Sequence, residues 1–130
     1  MHLYRNRFSG PIPHEIGYLN SLVDLELDSN KLTGEIPISI VNLRNLKILQ
    51  LHTNQLSGHI PQEIGLLTSL IDLELESNNL IGQIPTSIGN LKILRTLYLF
   101  ENRLSGSIPA TIGNLSNLRR PDKFRIHFVG

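Results

Sequence analysis

Residues 22–45 read LVDLELDSNKLTGEIPISIVNLRN, and the same 24-residue phrase returns at 46–69, 70–93 and 94–117, with most of a fifth copy ahead of it. As a pattern it is LxxLxLxxNxLxGxIPxxIxxLxx. Its asparagines fall at Asn6, Asn30, Asn54, Asn78 and Asn102, and its glycines at Gly10, Gly34, Gly58, Gly82 and Gly106. Its Ile-Pro pairs end at Pro13, Pro37, Pro61, Pro85 and Pro109. A repeat at one fixed spacing means a stack of similar units, none of which can bury its apolar face alone.

Each position of the phrase has a physical reading. In Leu25-Glu26-Leu27-Asp28 apolar and polar residues alternate, as in a strand with one buried face. Leu25 and Leu27 point inward; Asp24, Glu26 and Asp28 point outward. Leu49/Leu51, Leu73/Leu75 and Leu97/Leu99 repeat this on the following strands. The asparagine stands where the chain must turn. Its amide both donates and accepts, so a stacked column of asparagines satisfies turn backbone that would otherwise be buried unpaired. The glycine relieves a tight backbone position, and the proline bars continuation of a regular ladder. Ile40, Leu43 and Leu46 are spaced i, i+3, i+6, which suits a 3₁₀ turn. The expected architecture is an α/β repeat solenoid. A parallel β-sheet lines its concave face, and short 3₁₀ and loop segments form its convex face.

The LxxLxLxxN core is the leucine-rich-repeat signature, and the LxGxIP that follows it resembles the plant-specific form of that repeat. "SLVDLELDSNKLTGEIP" and "LHTNQLSGHIPQEIG" are most similar to ectodomains of plant leucine-rich-repeat receptor-like kinases; polygalacturonase-inhibiting proteins share the repeat type. The resemblance covers residues 1 to about 118. It implies a second short strand near each GxIP, a right-handed superhelix and an extracellular setting. It also implies peptide or protein ligands and a possible co-receptor ectodomain as partner. Some peptide-sensing relatives carry an Arg-x-Arg pair on the concave face to hold a peptide carboxylate. The matching columns here hold Asp24-Leu25-Glu26 and Asp72-Leu73-Glu74. The sign is inverted, so a basic segment is the better candidate ligand.

Composition sets limits. Net charge is +1, which gives no drive toward nucleic acid or a membrane surface. No apolar run is long enough for a transmembrane helix, and the opening Met-His-Leu-Tyr-Arg-Asn-Arg lacks the apolar core of a signal peptide. Cysteine is absent, whereas extracellular members of the resembled family usually close both ends with disulfide-bearing caps. Met1 stands where a strand leucine belongs, and Leu118 opens a sixth copy in which Pro121 and Lys123 replace strand leucines. The expected organisation is therefore a solenoid over 1–118, about five repeats with both ends incomplete, and a non-repeat basic tail over 119–130. In the tail, Phe124, Ile126 and Phe128 alternate with Arg125 and His127. That pattern suits an edge strand over the last coil, but nothing else there matches a cap, which favours unrelated sequence.

A longer period lies above the first. Residues 13–27, PHEIGYLNSLVDLEL, match 61–75, PQEIGLLTSLIDLEL, at an offset of 48. The outward residues consequently alternate in character from coil to coil. One column reads Asp24, Ile48, Asp72, Thr96; the next His2, Glu26, Gln50, Glu74, Tyr98; the third Tyr4, Asp28, His52, Glu76, Phe100. Six carboxylates share one face in two rows, with His52 between Asp28 and Glu76. Tyr98 and Phe100 form an aromatic end beside Arg103, and Arg5 and Arg7 sit with Tyr4 at the other. Most single charges on such a face only keep it solvated. Clustering of one sign on a concave wall focuses potential and favours a ligand. The candidate binding set is Asp24, Glu26, Asp28, Gln50, His52, Asp72, Glu74, Glu76, Tyr98 and Phe100, with His52 tuning the contact as pH changes. Asp28, His52 and Glu76 are of metal-ligand type, but strands at this spacing are expected to hold them loosely, so no metal or other cofactor is assigned.

Enzyme chemistry has no support in the motifs. There is no GxGxxG or Walker loop, no HRD or DFG and no GxSxG. An open face is expected to leave its carboxylates near their ordinary pKa values. Any kinase domain of a parent receptor is absent from these 130 residues. Asn114-Leu115-Ser116 is the one N-glycosylation sequon. The leading expectation is a non-catalytic recognition module from a plant receptor-like kinase ectodomain, working in signalling or defence at the outer face of the plasma membrane or in the cell wall. The alternatives are a polygalacturonase-inhibitor-like defence protein and a truncated product with no ligand of its own.

Overall fold

Alternating leucines produce strands where the phrase places them. The computed structural model describes residues 1–118 and the short strand Phe124–Arg125. Ten strands occur among them: β1 (Ser9–Pro11), β2 (Asp24–Glu26), β3 (Lys31–Glu35), β4 (Ile48–Gln50), β5 (Gln55–Ser57), β6 (Asp72–Glu74), β7 (Ile81–Gly82), β8 (Thr96–Tyr98), β9 (Arg103–Leu104) and β10 (Phe124–Arg125). The even-numbered strands form one parallel sheet in the order β10-β8-β6-β4-β2. Its register carries Asp24 to Ile48, Asp72 and Thr96, and Glu26 to Gln50, Glu74 and Tyr98. His2 joins the second column through a bridge to Glu26. The odd-numbered strands make the second ladder near each GxIP, in two pieces, β1-β3-β5 and β7-β9, joined by a His59–Ile81 bridge.

Leu25, Leu49, Leu73 and Leu97 are almost wholly buried, as are Ile40, Leu43 and Leu46. Full burial of one such side chain contributes about 1.5–3 kcal/mol, and only the next coil can provide it. The i, i+3, i+6 spacing forms a 3₁₀ turn at Ile38–Asn42, and the Leu43 amide closes on the Ile40 carbonyl at 3.1 Å. Four equivalent turns occupy His14–Tyr18, Gln62–Leu66, Thr86–Asn90 and Ala110–Asn114.

The asparagine column is present. Asn54 Nδ2 donates to the carbonyls of Leu27 and Leu51, both at 3.1 Å, and its Oδ1 accepts the Leu32 amide at 3.0 Å. Asn30, Asn78 and Asn102 repeat the pattern, so each side chain ties its own coil to the one before it. The residue before each asparagine is left-handed: Arg5, Ser29, Thr53, Ser77 and Glu101 have φ between 53° and 58°. Thr53 is β-branched, which makes that backbone unusual.

On the convex side the 3₁₀ turns are stapled to one another. Ser39 Oγ donates to the His14 carbonyl, Ser87 Oγ to Gln62 and Thr111 Oγ1 to Thr86, each at 2.6 Å. The staples press on Gly17, Gly65 and Gly89; a Cβ on Gly89 would lie 2.6 Å from the Thr111 carbonyl oxygen. One coil pair differs. Val41 holds the glycine position and Glu63 the serine position, and Glu63 Oε2 is buried without a hydrogen-bond partner. The staple is replaced there by a groove lined by Pro37, Ile38, Pro61 and Glu63.

Leu115 is only 5% exposed, packed beside Ile112 and Leu118. At the other end Leu3 and Phe8 stay open. Strand β10 pairs with β8, Phe124 against Leu97 and Arg125 against Tyr98. Phe124 stands 27 positions after Leu97, three more than the repeat. The tail thus contributes an edge strand at these two residues. Ile126, His127 and Phe128 lie outside the described residues.

Candidate functional site

Strand register builds the site. Strands β2 and β6 display Asp24/Glu26 and Asp72/Glu74, and Asp28 and Glu76 follow just past the strand ends. The ladder continues there: the Ser29 amide donates to the His52 carbonyl at 3.0 Å and the Thr53 amide to Glu76 at 3.0 Å. Asp28, His52 and Glu76 therefore form one row, as the columns predict. All six carboxylates share the face.

Coils with acids alternate with coils bearing neutral donors, and the donors reach across. His2 Nε2 lies 2.9 Å from Asp24 Oδ2 and 3.1 Å from Glu26 Oε2. Gln50 Nε2 donates to Asp72 Oδ2 at 3.1 Å and Glu74 Oε1 at 3.4 Å. His52 Nε2 is 3.5 Å from both Asp28 Oδ2 and Glu74 Oε2, while its Nδ1 contacts Thr53 Oγ1 at 3.1 Å. The 48-residue duplication thus places a donor coil beside each acid coil.

Donors remain too few. Asp24 Oδ1, Asp28 Oδ1, Asp72 Oδ1 and Glu76 Oε1 are buried without a hydrogen-bond partner. Asp28 and Glu76 are only 8% and 9% exposed. The expectation that an open face leaves its carboxylates unperturbed fails for this reason: side chains on strands about 4.8 Å apart cover one another. Burial, and then the Asp72 charge, raise Glu74 from 4.5 to about 8. Burial, and then the charges of Asp72 and Asp28, raise Glu76 to about 7, against a lowering by its own backbone amide. Glu74 and Glu76 therefore titrate near neutrality on this face.

At the β8 end, Tyr98 and Phe100 meet edge to face, with ring centroids 5.7 Å apart and planes at 63°. Both are half-buried and Arg103 is exposed. Two residues absent from the predicted set also border the face. Lys47 and Arg95 line a groove with Asp24, Asp72, Ile48 and Thr96. They stand one position before β4 and β8, in the column Val23, Lys47, Ile71, Arg95, where the two-coil period was already visible. Asn114 is exposed at the end of the last 3₁₀ turn, off the strand face.

The stacked coils, asparagine column and paired ladders define a leucine-rich-repeat protein. The Leucine Rich Repeat family model matches residues 21–43, 45–67, 69–91 and 94–115, and the chain belongs to that family. Among solved structures, it is similar to the ectodomain of the Arabidopsis thaliana receptor kinase GASSHO1/SCHENGEN3 in complex with CASPARIAN STRIP INTEGRITY FACTOR 2: 44% identity and a TM-score of 0.89 over 91% of this chain and 14% of that one. It is similar to the Arabidopsis receptor kinase HAESA with the peptide hormone IDA and the co-receptor SERK1: 45% identity, TM-score 0.86, over 89% of this chain and 19% of that one. The BIR3–SERK2 complex of Arabidopsis thaliana matches at 34% identity and TM-score 0.87, over 100% of this chain and 69% of that one. The chain is thus similar to plant leucine-rich-repeat receptor kinase ectodomains and spans less than a fifth of the first two. Among the described residues no helix is long and apolar enough to cross a membrane.

Proposed function

We propose that this chain is a non-catalytic recognition module of a plant receptor-like kinase ectodomain, and that its strand face binds a basic peptide or protein segment outside the cell. The observation that carries the reading is the surplus of acceptors: two rows of carboxylates with four buried oxygens lacking hydrogen-bond donors. A lysine or arginine side chain supplies both the donors and the charge such a face lacks. Tyr98 and Phe100 offer an apolar anchor beside it. Peptide ligands in the solved relatives support a receptor over an enzyme inhibitor, and the co-receptor bound to HAESA makes a co-receptor ectodomain the second expected partner. A glycan at Asn114 would leave the strand face clear.

The test is titration of a fluorescent Lys/Arg-rich peptide with one terminal Phe, in the presence of a chelator. Saturable binding that weakens with added salt is expected, because exposed charges are screened. Glu26→Lys with Glu74→Lys should lower affinity by at least about tenfold through like-charge contact. The convex-side pair Glu15→Lys with Glu35→Lys should leave it unchanged. Equal binding by both double variants would reduce the acidic rows to a solvated surface.

A further inference from the structure

We propose that His52, Glu74 and Glu76 form a binding site for a divalent cation of the Zn²⁺ class on the strand face. Donor atoms of His52, Glu74 and Glu76 all lie within 4.8 Å of one another. The set differs from the loosely held Asp28, His52 and Glu76 that the columns suggested, because Glu74 reaches His52 diagonally across the ladder.

Three features separate this cluster from an ordinary group of acids. The first is distance. His52 Nε2 stands 3.5 Å from Asp28 Oδ2 and from Glu74 Oε2. That exceeds the range of an N–H···O hydrogen bond, about 2.7–3.2 Å. It is close to the edge of a tetrahedron around Zn²⁺, about 3.3 Å for bonds of 2.0–2.1 Å. The second is orientation. Nδ1 faces the Thr53 hydroxyl at 3.1 Å. Donation from Nδ1 to that oxygen leaves the Nε2 lone pair directed at the carboxylates, as metal-bound imidazoles are commonly held. The third is unmet demand. Asp28 and Glu76 flank His52 in one row, each about nine-tenths buried and each with a buried oxygen lacking any partner. One imidazole and two carboxylates, with a water in the fourth position, are a donor set for a borderline cation.

A second cluster, His2, Asp24 and Glu26, shows the contrast. Its imidazole sits 2.9 and 3.1 Å from the two carboxylates, the lengths of hydrogen bonds, on a more exposed coil. That cluster reads as a histidine hydrogen-bonded between two acids. The cation site shares its carboxylates with the peptide reading, whose test therefore runs in chelator.

Zn²⁺ alone is the probe, titrated calorimetrically into the full 130-residue chain carrying His2→Gln. About one equivalent should bind. His52→Gln and Glu76→Gln, introduced singly, should each lower affinity at least about tenfold. Thr53→Val should lower it about tenfold by freeing the ring, while Thr53→Ser should preserve it. Co²⁺ in place of Zn²⁺ should give the intense visible absorption of a four-coordinate ion. Circular dichroism of each variant identifies any that fails to fold, in which case the Co²⁺ spectrum of the His2→Gln chain decides. Absence of saturable binding, affinity in folded His52→Gln and Glu76→Gln equal to that of the His2→Gln chain, or a weak six-coordinate Co²⁺ spectrum would overturn the site.

Discussion

Asn54 shows how much one side chain carries in a stack. It joins the carbonyls of Leu27 and Leu51 to the amide of Leu32. Asn54→Ala leaves those backbone groups unpaired inside the turn, at about 1–3 kcal/mol. Its neighbour Gln55 is exposed, and Gln55→Ala should stay within about 0.5 kcal/mol. Equal denaturation midpoints for the two variants would contradict the column. At this scale the sequence is highly legible, because a group with one donor and one acceptor at a fixed period has only one use. The left-handed backbone at Thr53 was not legible. Nothing in a threonine asks for positive φ; the turn imposes it, and the asparagine that stabilises the turn is the next residue.

At the scale of the 3₁₀ turns, Gly89 and Gly113 occupy equivalent positions in successive coils. Gly89 is overlaid by Thr111, whereas no described residue lies within 4 Å of where a Cβ on Gly113 would stand. Gly89→Ala should therefore destabilise by about 1–3 kcal/mol, and Gly113→Ala should be neutral or slightly favourable. Thermal melts that shift equally for both would exclude close stapling as the reason for glycine here. Strand columns could be written from the repeat alone because β-register within it is one coil per 24 residues. What the columns could not supply was the direction of long side chains. Glu74 reaches both Gln50 of its own column and His52 of the next, and only packing selects that rotamer. The burial of Asp28 and Glu76 was hidden for a related reason: polarity suggests an exposed residue, yet neighbours on a curved sheet cover it. β10 escaped the periodic reading because it pairs three residues out of phase.

For the molecule as a whole, the acidic rows link proton uptake to stability. Glu74 and Glu76 have ordinary values of 4.5 and stand at about 8 and about 7 in the fold. Between these limits the folded chain binds more protons than the unfolded one, so stability falls as pH rises. The contribution is complete below about pH 4.5 and lost above about 8. In chelator, denaturant midpoints should decrease across this window, and Glu74→Gln with Glu76→Gln should flatten the decrease. A rising midpoint, or an unchanged slope in the double variant, would refute the assignment. The unstapled seam at Val41 and Glu63 has a mechanical consequence of its own. A solenoid behaves as a spring whose stiffness is set turn by turn. Where the other coils are riveted on their outer rim, this pair is joined there by a groove. Compliance is therefore concentrated between the second and third coils, and a load that tightens or opens the curve would be absorbed first at that joint, beside the strand that carries His52.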